Sequence, residues 1–224
     1  QMPQVKFGLA RTLEELVSKT DTTSVLRMYH PFSPISADSF ANALNAYQNI
    51  VMEYPNTEIA ARAMLRIGII KQEKLSDLEG AKLSYESVRR MQGRHVSVDW
   101  EVKLRLGDLY FILGDMKMAE NEYRLLIAQT SAPPTLRDLA AFHIAEIEYF
   151  NGNFQIAVNK LDSLARNTLS DVSNDALTMK LFLEEQMKEN RDALKKYADA
   201  ELLKRQLKFS EALAAFESIE QEYP

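Results

Sequence analysis

The chain has no cysteine. Disulfides, thiol nucleophiles and thiolate metal sites are therefore excluded, although no compartment follows from that. Glycine and proline are scarce, seven of each in 224 residues. With few consecutive β-branched residues and no glycine-serine tract, a strand-rich fold has little to build on. No apolar run approaches the roughly 20 residues that cross a bilayer, and the first residues lack the basic-then-apolar pattern of a secretory signal. There is no basic block either. Twenty-seven Lys and Arg stand against 32 Asp and Glu, a formal charge of −5. The pairs Arg89-Arg90, Lys195-Lys196 and Lys204-Arg205 read as solvated helix faces, so nucleic acid is not an expected partner.

What is abundant is helix-forming: 46% of the residues are apolar, and long runs of Ala, Leu, Glu, Lys, Met and Arg favour helix almost throughout. An all-α protein is expected. Four stretches align at a fixed distance. Ala43, Ala81, Ala119 and Ala157 are each 38 residues apart; four positions later stand Tyr47, Tyr85, Tyr123 and Leu161, and three beyond those Ile50, Val88, Leu126 and Leu164. Spacings of four and three place each set on one helix face. A fifth copy, Ala212, Phe216 and Ile219, follows Ala157 by 55 residues, one period plus room for an extra helix at about Asp171–Gln186.

The stretch from Gly107 to Ile127, "GDLYFILGDMKMAENEYRLLI", predicts how the copies are built. Trp100, Leu104, Leu106, Gly107, Tyr110 and Phe111 belong to one helix, Leu113-Gly114-Asp115 turns the chain, and Met118 and Ala119 begin the return helix. A glycine inside a helix costs about 1 kcal/mol of propensity. Gly107 and Ala119 are therefore expected where the paired helices cross closely.

Leu106, Gly107, Tyr110, Gly114, Ala119, Tyr123 and Leu126 resemble the tetratricopeptide repeat family. So do Ile144, Ala145, Gly152, Phe154, Ala157, Leu161 and Leu164, with Glu148 in place of an aromatic; Ile67, Gly68, Ala81, Tyr85 and Val88, with one extra residue before the alanine; and Ala200, Leu203, Phe209, Ala212, Phe216 and Ile219, with Leu207 replacing the turn glycine. The resemblance implies a right-handed solenoid of antiparallel helix pairs. Its expected divisions are 1–38, a degenerate repeat or cap with Gly8 at a crossing and a short helix from about Ser24 that ends at His30-Pro31-Phe32-Ser33-Pro34; 39–169, the 38-residue repeats; 170–190, the inserted helix; and 191–224, the terminal pair.

Chemistry is thinly represented. His30, His95 and His143 fall in different copies, and a zinc helix needs two histidines four apart. Neither a phosphate loop nor a nucleophile with its base is present. No metal, cofactor or enzymatic activity is expected; a helical hydrolase using Asp108, Glu146 or Glu201 is the least favoured reading.

The resemblance implies instead that the first helix of each pair lines a concave groove for a peptide or another protein. Transferred to this chain, the partner-binding positions are Leu104, Asp108, Phe111, Phe142, Glu146, Tyr149, Phe150 and Tyr197, with Glu201 and Lys204 also on that face. Phe111, Phe142, Tyr149 and Phe150 would supply exposed aromatic area, and Asp108 and Glu146 would accept bonds from a ligand. Because these positions are apolar or acidic, an apolar or basic peptide suits them better than the acidic tails gripped by the family's carboxylate clamps. Self-association through unfinished ends is the alternative. Tyr54-Pro55-Asn56 followed by Ala61 and Ala63 is also similar to repeats of bacterial envelope scaffolds, which slightly favours the periplasm or envelope over the cytoplasm.

Overall fold

The structure, a computed structural model, describes residues 2–21, 37–93 and 95–223. The segment expected to hold the short helix from Ser24 and its end at His30-Pro31-Phe32-Ser33-Pro34 lies outside the described residues. Among the described residues there are eleven α-helices and no strand. They are α1 (Met2–Asp21), α2 (Ala37–Glu53), α3 (Glu58–Glu73), α4 (Leu78–Arg90), α5 (Val96–Ile112), α6 (Met116–Ile127), α7 (Pro134–Phe150), α8 (Phe154–Ala165), α9 (Ser173–Glu189), α10 (Arg191–Arg205) and α11 (Phe209–Glu222). From α1 to α4, and again from α6 to α11, each helix packs on the next in sequence. No described helix is long and apolar enough to cross a membrane. Two compact units divide within α5, at Val102 and Lys103.

In the unit 1–102, Ala10, Phe40, Tyr47, Ile50, Ala63, Ile67 and Ile70 form the core between α1, α2 and α3. Gly8 is not a crossing point: it is exposed, and no described atom lies within 4 Å of a Cβ built there. The buried small residue of α1 is Ala10, two residues on and so on the opposite side of the helix. Nearby, Glu14 is buried and accepts from Tyr47 Oη at 2.7 Å and Arg66 Nε at 3.2 Å, so its charge is both hydrogen-bonded and paired.

In both units a glycine and a tyrosine meet. A Cβ on Gly68 would lie 2.7 Å from Tyr85 Cδ1, and one on Gly107 would lie 2.7 Å from Tyr123 Cδ1, with Cε1 closer still in each case. Each ring is buried against the preceding helix and donates its hydroxyl back to it, Tyr85 to Gln72 at 2.7 Å and Tyr123 to Asp108 at 2.8 Å. Glycine is therefore required by the ring that fills the space of its missing side chain.

The turns recur as well. Ser76, Gly114 and Gly152, 38 residues apart, have φ of 54°, 85° and 77°. After α5 and α7, the next residue donates to the carbonyl five back, Asp115 to Tyr110 at 2.8 Å and Asn153 to Glu148 at 2.9 Å; a left-handed residue just past a helix end allows that bond. Asp77 and Asp115 then cap the return helices by accepting from Gly80 N and Met118 N. After α10 the same bond runs from Lys208 to Leu203 at 2.9 Å, and the left-handed residue is Leu207, φ 61°. A left-handed conformation costs a residue with a Cβ about 1–2 kcal/mol. Leu207 is 45% exposed and has little packing to lose. Leu207→Gly is expected to stabilise the protein by about 0.5–1 kcal/mol after the extra chain entropy of glycine is subtracted. A urea midpoint unchanged or lower than wild type would contradict this.

Candidate functional site

In the unit 103–224, α7 packs against α6, α8 and α10, while α9 lies between α8 and α10. Apolar residues on two sides of α5 and α7 explain their burial. Leu104, Phe111, Tyr149 and Phe150 are 6%, 4%, 2% and 5% exposed. The sequence expectation of exposed aromatics at Phe111, Tyr149 and Phe150 is therefore corrected. Phe111 and Phe150 meet edge to face at 5.5 Å, and Tyr149 packs on Phe150 at 4.9 Å and on Phe154 at 5.9 Å. Phe142 and Tyr197 are half-buried, Phe142 beside the His143 ring and Tyr197 between Phe182 and Phe216.

Asp108 and Glu146 are occupied by their own chain rather than free for a ligand. Asp108 accepts from Tyr123 and lies 3.6 Å from His143 Nε2. Glu146 Oε2 is 2.6 Å from His143 Nδ1, which must donate because an ionised carboxylate only accepts. Arg205 Nη2 reaches both Glu146 oxygens, at 3.0 and 2.9 Å, and its guanidinium rests 5.4 Å from the centre of the Phe111 ring. Tyr123, Asp108, His143, Glu146 and Arg205 thus form one chain of contacts that ties α5, α6, α7 and α10 together. Burial, then the charge of Asp108, pushes the Tyr123 hydroxyl far above its ordinary ionisation range.

A cleft of about 500 Å³ opens beside this network. From α7 it is lined by Glu146, Tyr149 and Phe150; from α9 by Asp175, Thr178, Met179 and Phe182; and from α10 by Tyr197, Glu201, Lys204 and Arg205. Four sequence-predicted positions, Glu146, Tyr149, Phe150 and Tyr197, converge here, whereas Leu104, Asp108, Phe111 and Phe142 do not line it. Tyr149 donates to Glu201 Oε2 at 2.8 Å across the α7–α10 contact. Burial first, and Glu201 second, raise the Tyr149 hydroxyl well beyond its usual range, and the same two causes raise Tyr197. The α9 wall was invisible in the repeat pattern because the inserted helix has no copy with which to align. Its limits nevertheless lie close to the expected Asp171–Gln186, and Asn190 alone separates it from α10, accepting from Asp192 N and Ala193 N.

Chemically the cleft offers apolar ring faces, an oriented carboxylate and exposed charge at its rim. Among the described residues no group of three or more His, Asp or Glu is placed to hold a metal ion. Comparison with protein-family models, curated proteins and solved structures gives no match to this chain.

Proposed function

We propose that the chain is a noncatalytic protein-interaction scaffold of the tetratricopeptide-repeat kind, a right-handed solenoid of antiparallel helix pairs whose first helices take up a segment of another protein. The observation that carries this reading is the convergence of Glu146, Tyr149, Phe150 and Tyr197, from two first helices, on a single cleft. The 38-residue spacing of the left-handed turns and the repeated glycine-tyrosine contacts support the repeat assignment. A cleft of this size matches one or two side chains of an extended peptide better than a whole folded surface. The style of the repeat around Tyr54-Pro55-Asn56 favours a bacterial envelope setting.

Because Phe111, Tyr149 and Phe150 are core residues, the test uses the half-buried wall. Phe182→Ala or Tyr197→Ala is expected to weaken peptide binding at least about thirtyfold, the consequence of losing a hot spot of about 2 kcal/mol. Helix content measured by circular dichroism should stay at the wild-type level. Equal affinity in folded variants would remove the cleft from the binding surface.

A second reading, self-association, is favoured by α1. Met2, Val5 and Leu9 follow one another by three and four residues and are 67%, 66% and 60% exposed among the described residues. That spacing makes a continuous apolar stripe of the kind that seams helices together. Sedimentation should then show a mass that grows with concentration and falls to monomer in Leu9→Asp; a monomer at every concentration in the unmodified chain excludes it.

A further inference from the structure

We propose that the cleft between α7, α9 and α10 receives an arginine side chain of the partner polypeptide, with Glu201 as the acceptor of its guanidinium. The proposal deepens the scaffold reading and rests on it.

Several carboxylates near the cleft or on the helices beside it have cationic partners within the chain. Glu146 holds Arg205, Asp199 holds Lys195, Asp162 holds Lys180 and Arg166, and Glu222 holds Lys196. Glu201 does not. It accepts from the Tyr149 hydroxyl, and among the described residues no cation pairs with it. The Tyr149 hydroxyl fixes the carboxylate's orientation and the Tyr197 hydroxyl also bears on it; two neutral donors leave a carboxylate, with about four lone-pair sites, acceptor capacity and an uncompensated charge. Asp175, across the cleft in the first turn of α9, likewise has no cationic partner among the described residues. Two carboxylates from different helices therefore bear on a space walled by Tyr149, Phe150, Phe182 and Tyr197.

The chain itself displays the combination that this space would complete. Arg205 lies with its guanidinium over the Phe111 ring while both Glu146 oxygens accept from its Nη2. An aromatic face and a carboxylate together recognise guanidinium better than either alone: the ring takes the weakly hydrated plane and the carboxylate takes the N–H groups. Next to that pair, the half-buried rings of Phe182 and Tyr197 stand beside Glu201, and although Lys204 and Arg205 also line the cleft, no described cation pairs with that carboxylate. Arginine suits the site better than lysine because its planar fork can bond both carboxylate oxygens and lie flat on a ring.

Lys204 lines the rim and is exposed. Its charge opposes a cation and would favour an acidic ligand, so it separates the two cases by sign. Selection of random peptides on the intact chain, followed by titration of the winning peptides and their citrulline and glutamate versions, tests this directly. Peptides enriched in arginine are expected. Replacing that arginine with citrulline, or Glu201→Gln in the protein, should weaken binding at least about tenfold, whereas Lys204→Ala should leave it unchanged or tighten it. Glu201→Gln keeps an oxygen for Tyr149, and thermal melting checks that the fold is retained. Selected peptides without basic residues, equal binding of citrulline, or loss on Lys204→Ala with none on Glu201→Gln overturns the arginine assignment while the scaffold reading stands. Failure to select any peptide overturns both.

Discussion

Tyr123→Ala is expected to lower stability by about 4 kcal/mol, and Gly107→Ala by about 2 kcal/mol, yet Gly107→Ala should cost nothing further in a Tyr123→Leu background. Removing a fully buried aromatic costs roughly 3–5 kcal/mol through lost contacts and the cavity that remains. At Gly107 two effects oppose each other. Alanine gains about 1 kcal/mol of helix propensity over glycine, but its Cβ would stand 2.7 Å from Tyr123 Cδ1 and closer to Cε1. The ring cannot step aside, because its hydroxyl is held by Asp108 and it stacks 5.2 Å from the His143 ring. Overpacking of this kind costs up to about 3 kcal/mol, so it wins. The chain contains its own control. At the positions 38 residues on, Ala145 stands where Gly107 is and Leu161 where Tyr123 is, and both are buried. A leucine leaves room for the methyl that a tyrosine excludes. Urea unfolding of the single and double variants should therefore show a coupling of about 2 kcal/mol. Strict additivity would mean that the ring is not what forbids a side chain at Gly107.

That crossing was legible in the sequence because it is local and repeated: glycine, turn and tyrosine lie within 17 residues in one copy and within 18 in the other, the single extra residue falling between glycine and turn. The turn at Leu207 was legible for the same reason, as a departure from a position held elsewhere by glycine. Burial of Phe111, Tyr149 and Phe150 was not. Helical periodicity identifies the apolar face of an amphipathic helix, but α5 and α7 carry apolar residues around most of their circumference and so mark no solvent side. Nor could local spacing foresee that Tyr149 would meet Glu201 or that Glu146 would meet Arg205, partners 52 and 59 residues apart. Those contacts depend on α9 returning the chain to α7, and an unrepeated helix gives no register to count from. At Gly8 the pattern misled in the other direction, since a glycine in an amphipathic stretch looks the same whether it is a crossing or an exposed position.

Above pH 10 the protein is expected to lose stability by about 4 kcal/mol per pH unit, because three tyrosines are buried as neutral hydroxyls beside carboxylates. Burial is the first cause at Tyr47, Tyr123 and Tyr149, with Glu14, Asp108 and Glu201 respectively adding to it; all three are raised far above the ordinary value of 10.0. In the unfolded chain they ionise near pH 10, whereas in the folded chain they keep their protons. The folded state then binds more protons, so unfolding becomes more favourable as pH rises. The stabilisation is complete below pH 10 and is lost progressively toward the elevated folded values, about 1.4 kcal/mol per pH unit for each tyrosine. Two of the three belong to the unit 103–224, so that unit alone should lose about 3 kcal/mol per pH unit. Tyr149→Phe isolates one contribution. It removes the donor to Glu201 and should cost about 1 kcal/mol at neutral pH, but its stability should then fall less steeply than wild type above pH 10, by about 1.4 kcal/mol per pH unit. Urea titrations across that range give the slopes, and tyrosinate absorbance should rise for these rings only as unfolding proceeds. Parallel slopes for wild type and Tyr149→Phe would show that the Tyr149 hydroxyl ionises as readily in the folded chain as in the unfolded one, and the carboxylate of Glu201 would then have to be screened by water rather than held against a buried ring.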